Sequence, residues 1–458
     1  MAPRHKGNRS KAKSLATQLP TLHPHAAGID VGARELYVAV PPGSDPRPVR
    51  CFATFTEDLH ALRDWLQRCG VTTVALESTG VYWIAVFQIL EAAGLEVCLV
   101  NARHCKNLPG RKTDVQDCQW LQYLHSVGLL RGSFRPADQV CAVRTILRHR
   151  DALLRGASRC VSHLHKALTQ MNVQLQHVIS DLTGVTGQAI LTAILAGERD
   201  PQKLAALKDH RIKASRDVIA KSLCGDWRAE HLFTLQQTHA LWEQHRQLIA
   251  QCDAQIEQML HGFDAPVGVR LVPLPPQTKS SHKRPQKNQP QFAAREECYR
   301  VLGVDLTLVP GFATPTVLVL LCELGPEFAE QFATAKHFGS WLGLCPDNRI
   351  TGGKIYSVKT RDVKSRVAEA LRLAAQSLHR AQNYFGDLYR RWRARLGSPK
   401  AITAMAHKLA RILWHLLKYK QPFNPEVFAK AEAKMKRKKL DHLQNLAASL
   451  NYQLIPQP

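Results

Sequence analysis

The hydrophobic and polar positions change rhythm several times along the chain. Apolar residues run together over Ala26–Val31, alternate with polar ones over Glu35–Val40 and form a third short stretch over Arg50–Phe55. These lengths predict three strands, the first two joined through Gly32 and Ala33. Leu59, Leu62 and Leu66 then recur at helical spacing within Asp58–Cys69. A β-branched run, Thr72–Leu76, ends in Glu77 and a Ser78-Thr79-Gly80 turn. After it come a helix over Val81–Ala93, a buried strand over Leu95–Val100, a basic loop and a helix over Asp114–Val127. Three strands, helix, strand, helix, strand, helix predicts an α/β domain over residues 26–132, with an antiparallel pair at its front.

The pattern is different over residues 133–263. Val140, Val143, Leu147, Leu154, Ala157, Val161, Leu164, Leu168 and Met171 recur at steps of three and four, with Arg150 breaking the seam. A repeat sustained over about five heptads predicts a coiled-coil helix. A second seam runs through Leu235, Trp242, Ile249, Cys252, Ile256 and Met259, and the two pair either within one chain or between chains. Gly184–Asp226, between them, has the pattern of smaller helices. Pro, Gln, Lys and Ser dominate the core of residues 264–297, the expected basic linker. Residues 298–425 are expected to be mostly helical around a turn-rich centre at Cys345–Lys359. The tail, 426–458, carries the run Lys434–Lys439, either a solvated helix face or a phosphate-binding one. Residues 1–25 have the pattern of a basic, disordered arm.

Composition narrows the partners. The chain has 458 residues, 45% hydrophobic and 22% charged, as expected of a folded chain of several domains. Its 62 Lys and Arg against 37 Asp and Glu give a formal net charge of +25. An excess that large points to a polyanion, most directly nucleic acid. A membrane surface is the competitor, but no long basic amphipathic anchor or spanning segment is evident. The 12 cysteines contain no CxxC pair and sit mostly within apolar stretches, so buried thiols in a reducing compartment are expected. Met1–Ser14 is polar and basic with no apolar core behind it, unlike a secretory signal. A cytoplasmic protein is the expectation.

Acids stand where chemistry can use them. Asp30 lies in Gly28-Ile29-Asp30-Val31-Gly32, inside an apolar strand, where a carboxylate is costly unless paired or bound to a cation. Glu77 ends the next central strand. Asp114 and Asp117 share one helix face. If the first and fourth strands are neighbours and the helix crosses the sheet, all four meet. Their repulsion then calls for hard cations of the magnesium type, and two such ions suit phosphodiester chemistry. The structural alternative makes Asp114 a helix N-cap and Asp117 a first-turn dipole partner. Arg103, His104, Lys106, Arg111 and Lys112 flank the aspartates and suit a phosphate backbone. Tyr82, Trp83 and Trp120 suit either the core, the favoured reading, or base stacking.

These motifs resemble a known family. Gly28–Gly32, Leu76–Gly80 and Lys112–Asp117 look like the three acidic motifs of the DEDD insertion-sequence transposases, insertion-sequence family one-hundred-and-ten. Val309–Phe312, Leu320–Gly325, Phe338–Pro346 and Thr351–Lys354 are similar to its C-terminal transposase domain. The resemblance implies a RuvC-like, ribonuclease-H-type catalytic domain, with Asp30, Glu77, Asp114 and Asp117 as a tetrad holding Mg2+ or Mn2+. It also implies donor and target DNA, a noncoding bridge RNA, dimers and tetramers, and a place at the nucleoid. The family's catalytic serine before a glycine corresponds to Thr351 before Gly352, a departure that leaves Thr351, Ser357 or an impaired copy as alternatives. Gly352, Lys354, Lys359, Arg361, Lys364 and Arg366 become candidate nucleic-acid contacts, as do the backbone N–H groups of Val309–Phe312; a solvated basic face, and a simple turn at Thr351–Lys354, are the structural alternatives. A junction nuclease that does not rejoin and an inert nucleic-acid-binding relic are the rival functions.

Overall fold

The computed structural model describes residues 19–78, 80–101, 113–268, 272–274 and 288–453. The chain divides into two compact units, Met1–Arg135 and Pro136–Pro458. Arg103, Lys106, Arg111 and Lys112 lie outside the described residues, as do most of the N-terminal arm and the middle of the linker.

The first unit is built on a five-stranded mixed sheet: β1 (Ala26–Val31), β2 (Glu35–Ala39), β3 (Val49–Ala53), β4 (Thr73–Glu77) and β5 (Glu96–Val100), in the order β3-β2-β1-β4-β5. β1 pairs antiparallel with β2 and parallel with β4, and β4 pairs parallel with β5. The first and fourth strands are thus neighbours, as the acidic motifs required. Strand residues alternate faces. Ala27, Ile29, Val31, Val74 and Leu76 join one core with Leu62, Trp65 and Leu66 of α1 (Thr56–Arg68) and Phe87 and Leu90 of α2 (Trp83–Ala92). The other face bears α3 (Asp114–Ser126), whose Gln122 amide donates to the Ala26 carbonyl at 3.1 Å. Strand order and helix placement are consistent with a ribonuclease-H-type fold.

The second unit is mostly helical. Two helices of 33 residues, α4 (Asp138–Gln170) and α8 (Ala229–His261), lie against each other within the chain. Between them α5 (Val185–Leu195), α6 (Pro201–Ala206) and α7 (Arg216–Ser222) close a small core around Leu164, Leu168, Ile190, Leu191 and Leu235. Beyond lie α9 (Ala294–Leu302), α10 (Thr314–Leu324), α11 (Ala335–Trp341), α12 (Arg366–Ser377), α13 (Tyr384–Leu396), α14 (Ser398–Tyr419) and α15 (Ala429–Ser449). The turn-rich centre contains a hairpin, β6 (Arg349–Thr351) with β7 (Lys354–Ser357).

Arg150 does not break the helical seam; it sits inside it. Its guanidinium is buried, bonded to the Asp253 carboxylate at 2.5 and 3.2 Å and to the Asn288 carbonyl at 3.2 Å. The middle of the seam correspondingly shifts to Gly156 and Cys160, leaving Leu154, Ala157 and Val161 only half-buried. On α8, Leu260 takes the buried position expected of Met259. A bidentate pair at a helix–helix seam fixes register, because sliding either helix strands a buried charge.

Asp253→Ala is expected to lower the unfolding free energy by about 3–5 kcal/mol, since it leaves the guanidinium buried without its carboxylate. Combining Arg150→Met with Asp253→Leu should recover most of that loss. Urea unfolding followed by far-ultraviolet circular dichroism reads both; equal losses in the single and double variants refute the account.

Candidate catalytic site

The site begins with a glycine. Gly28 and Asp30 occupy the β1 face that carries α3. A Cβ at Gly28 would lie 2.5 Å from the Cys118 carbonyl oxygen and 2.8 Å from the Gln122 Cα. Helix backbone therefore rests directly on strand backbone, which only glycine permits. Opposite Gly28 on β4 is Ala75, also small. Cys118, Leu121 and His125 form the buried stripe of α3, and the His125 ring meets the Thr73 hydroxyl at 2.9 Å. Continued towards the helix N-terminus at three- and four-residue steps, that stripe reaches Asp117 and Asp114. Packing that seats the helix thus aims its acids at the end of the sheet where β1 carries Asp30.

Asp30, Asp114 and Asp117 each bring a carboxylate oxygen within 4.8 Å of the others. Glu77 lies outside this triplet. It is buried at the end of β4, one step beyond the parallel Ile29–Leu76 pair, as Asp30 is on β1. The register thus puts Glu77 beside Asp30 on the same sheet face. The capping alternative for Asp114 does not hold: Thr113 is the N-cap, its hydroxyl accepting from the Gln116 N–H at 3.3 Å. Asp114 is exposed at the first helical position. The helix dipole favours both aspartates in the first turn, partly offsetting their repulsion.

The donor set suits a hard divalent cation: carboxylate oxygens and, among the described residues, no histidine or cysteine in the triplet. Cys118 is adjacent, but burial first and the Asp30 charge second push its thiol up to about 12. Its sulfur donates to the Val115 carbonyl instead, at 3.1 Å. Burial, helped by the charge of His23, holds His125 below the ordinary imidazole range, so the helix–sheet contact is made by a neutral ring near neutral pH. Tyr82 is not a core residue. It is 50% exposed, and Val81 and Ile84 beside it are exposed too. Trp83 is half-buried, its indole N–H on the Gly80 carbonyl at 3.2 Å, and Trp120 stacks on Tyr123.

In the second unit, Thr351 is the last residue of β6 and faces Lys354 across the hairpin. Gly352 and Gly353 form the two-residue turn, with φ of 54° and 75°. Consecutive positive φ values are what this tight turn demands, and glycine meets them without strain. The Thr351–Lys354 segment is therefore a hairpin turn whether or not its hydroxyl reacts. Ser357 stands opposite Arg349 at the other end of the hairpin, its Oγ accepting from the Lys359 N–H at 3.3 Å. Gly352, Lys354, Lys359 and Lys364 are exposed. Arg361 donates to the Ser340 carbonyl. Arg366 is drawn inward, 2.9 Å from Asp151 and 3.9 Å from Glu323, which Arg148 also grips. Gly311 lets its turn pack on α12, where a Cβ would lie 2.7 Å from the Ala374 carbonyl, and the Phe312 N–H is used within the turn.

A DEDD transposase model of the IS110 type, described as a transposase, matches residues 27–173, the span of the sheet, the acid cluster and α4. A second model, described as the transposase IS116/IS110/IS902 family, matches residues 305–390, the span of the hairpin. Together they cover about half the chain. The chain belongs to the IS110 family of transposases. No curated protein matches this transposase. The matched segments contain Asp30, Glu77, Asp114, Asp117 and Thr351, while residues 174–304 and 391–458 of the transposase lie outside them. No helix among the described residues is long and apolar enough to cross a membrane.

Gly28→Val should lower the stability of the first unit by about 1–3 kcal/mol or more, because the clash is with helix backbone and no rotamer relieves it. It should also abolish DNA cleavage by displacing Asp114 and Asp117. Thermal unfolding and cleavage assays check the two effects; a variant with wild-type melting and activity contradicts the packing described.

Proposed function

We propose that this transposase cuts and rejoins DNA strands by phosphoryl transfer at Asp30, Glu77, Asp114 and Asp117, holding Mg2+ or Mn2+, with Thr351 as the nucleophile that keeps the cut strand. The observation that carries the proposal is the convergence of Asp30, Asp114 and Asp117 within 4.8 Å at the end of the central strand β1, in a chain of this family. When bound, such cations supply positive charge to the scissile phosphate and its leaving oxygen. The chain's own residues do the rest. The four carboxylates fix where positive charge is held. The backbone contact at Gly28 keeps the two aspartates of α3 from drifting. The Thr351 hydroxyl forms an Oγ–P bond as the P–O bond of the strand breaks, its proton passing to solvent and the leaving strand oxygen taking one up. Attack by the hydroxyl of another strand end reverses the exchange, so bond energy is kept for rejoining.

Exposed Lys354, Lys359 and Lys364, with Gly352 at the turn, are the proposed phosphate contacts near Thr351, alongside Arg361. Arg366 is retained only as a support, its charge already paired. Arg103, Lys106, Arg111 and Lys112 are proposed contacts before the aspartates. The formal charge of +25 supports binding of donor and target DNA together with a noncoding bridge RNA. Assembly into dimers and tetramers, with the long helices contributing a coiled-coil contact, and nucleoid association complete the proposal.

Asp30→Asn should cut plasmid cleavage at the element ends by at least about 100-fold. The same change should abolish the rise in melting temperature that Mg2+ or Mn2+ gives the wild type. Undiminished cleavage removes the carboxylates from the reaction. Thr351→Ala should eliminate the protein–DNA adduct seen on denaturing gels, whereas Thr351→Ser retains it. Because the Thr351 hydroxyl makes the cut in this scheme, a Thr351→Ala variant that still cuts but no longer rejoins shows that water makes the cut and excludes Thr351 from that step. If it does both, Ser357 or water takes that part. Sequencing RNA co-purified from cells that carry the flanking noncoding DNA tests the guide, which the absence of a discrete species removes.

A further inference from the structure

The last helix, α15, lies outside the proposed site and outside both family matches. None of its 21 residues is buried. It is nevertheless held at its root. Phe428, immediately before it, stacks on Tyr384 at 5.4 Å and packs on Phe385 at 5.0 Å and Phe423 at 6.2 Å. The Lys408 ammonium lies 5.2 Å from the Phe428 ring and 5.6 Å from Tyr384. Aromatic and cation–π contacts of this kind fix a segment's direction. The helix thus starts from an anchored residue and leaves all of its own side chains unburied.

Its charges are ordered. Lys430, Lys434, Arg437 and Lys438 recur at i, i+4, i+7 and i+8, so they line one face over about 12 Å. Lys436 and Lys439 add charge on the other side, where Glu432 pairs with Lys436 at 3.1 Å. The leucines, Leu440, Leu443, Leu446 and Leu450, begin only after this stretch and are exposed. A helix lying on a membrane carries basic and apolar residues opposite each other on the same turns. Here they follow one another along the axis, and the first half is basic on both sides. The matching ligand is a rod of negative charge, not an interface with an apolar side.

We infer that the basic half of α15 is a separate binding site for the phosphodiester backbone of nucleic acid, with Lys430, Lys434, Arg437 and Lys438 as its contacts. The site rests on the proposed nucleic-acid substrate but not on the acid cluster, so the two fail separately. It reads no sequence: lysine and arginine on an exposed helix contact phosphate, and phosphates are spaced closely enough for several to be met at once.

The test uses the full-length protein with K434A/R437A/K438A and, as a charge-conserving control, K434R/K438R. Binding to a DNA duplex and to an RNA of equal length is measured across a salt series, with circular dichroism to verify that the helix persists. In the triple variant the slope of log affinity against log salt should fall by about three, and affinity near physiological salt by at least about tenfold, while the control behaves as wild type. A change confined to the DNA or to the RNA probe supports the site and names its ligand. An unchanged slope with both probes overturns it. So does wild-type binding to phosphatidylserine vesicles that the triple variant loses while its DNA and RNA slopes stay unaltered. D30N, which lacks cleavage if the acid cluster is catalytic, should keep the wild-type slope.

Discussion

Everything proposed for the first unit depends on one close approach, that of the α3 backbone to β1 at Gly28. A sheet–helix contact normally keeps the two backbones apart because side chains fill the gap. Gly28, with Ala75 beside it, removes the filler. The helix then lies low enough that carboxylates at its first turn reach an acid standing on the strand. With larger residues at these positions the same four acids, in the same order, would be scattered over separate surfaces. The glycine of Gly28-Ile29-Asp30 is therefore part of the site although it bears no functional group.

The sheet was legible in the sequence because its strands are short, β-branched and punctuated by glycine, and because Asp30 and Glu77 in apolar surroundings needed a common explanation. Periodicity located the two long helices for the same reason. What the sequence concealed were relationships between distant positions. Arg150 looks like an interruption because its partner, Asp253, is 103 residues away, and only the pairing of two helices within one chain brings them together. A signal did exist: an acid on a buried position of the second seam, next to Cys252. Whether Asp114 caps its helix was open in the sequence for a more local reason. Threonine and aspartate both cap helices well, and with Thr113-Asp114 in succession propensity cannot say which starts the helix. Tyr82 looked like core because aromatic residues usually are, yet the turn after Glu77 turns it outward.

Charge is distributed in this protein by a consistent logic. Arginines that meet carboxylates are drawn into helix junctions: Arg150 with Asp253, Arg148 and Arg366 around Glu323 and Asp151, and Arg295 with the buried Asp305 at 2.5 Å. Such planar, bidentate partners specify how helices pack. Exposed lysines, by contrast, gather on the hairpin flank and on α15, where hydrated point charges suit a mobile polyanion. A count of positive residues alone overstates the nucleic-acid surface, because several arginines are already committed within the fold.

For the proposed nucleophile, threonine raises a steric objection that serine would not, since its extra methyl restricts the side chain and narrows the line of attack. The surroundings decide how serious that is. Thr351 is exposed, and beyond it come two glycines at which even an added Cβ would meet nothing within 4 Å. Crowding of a secondary hydroxyl matters most where walls already press on it, and here one whole side is open. The exposed Ile350, Ile355 and Tyr356 on the same hairpin sharpen the point. Two strands alone are marginal in water, and this pair is tied at its base by the Pro346–Thr360 bridge and the Asp347–Lys359 backbone bond. The open turn therefore leaves the Thr351 hydroxyl accessible, and its methyl crowds nothing on the hairpin.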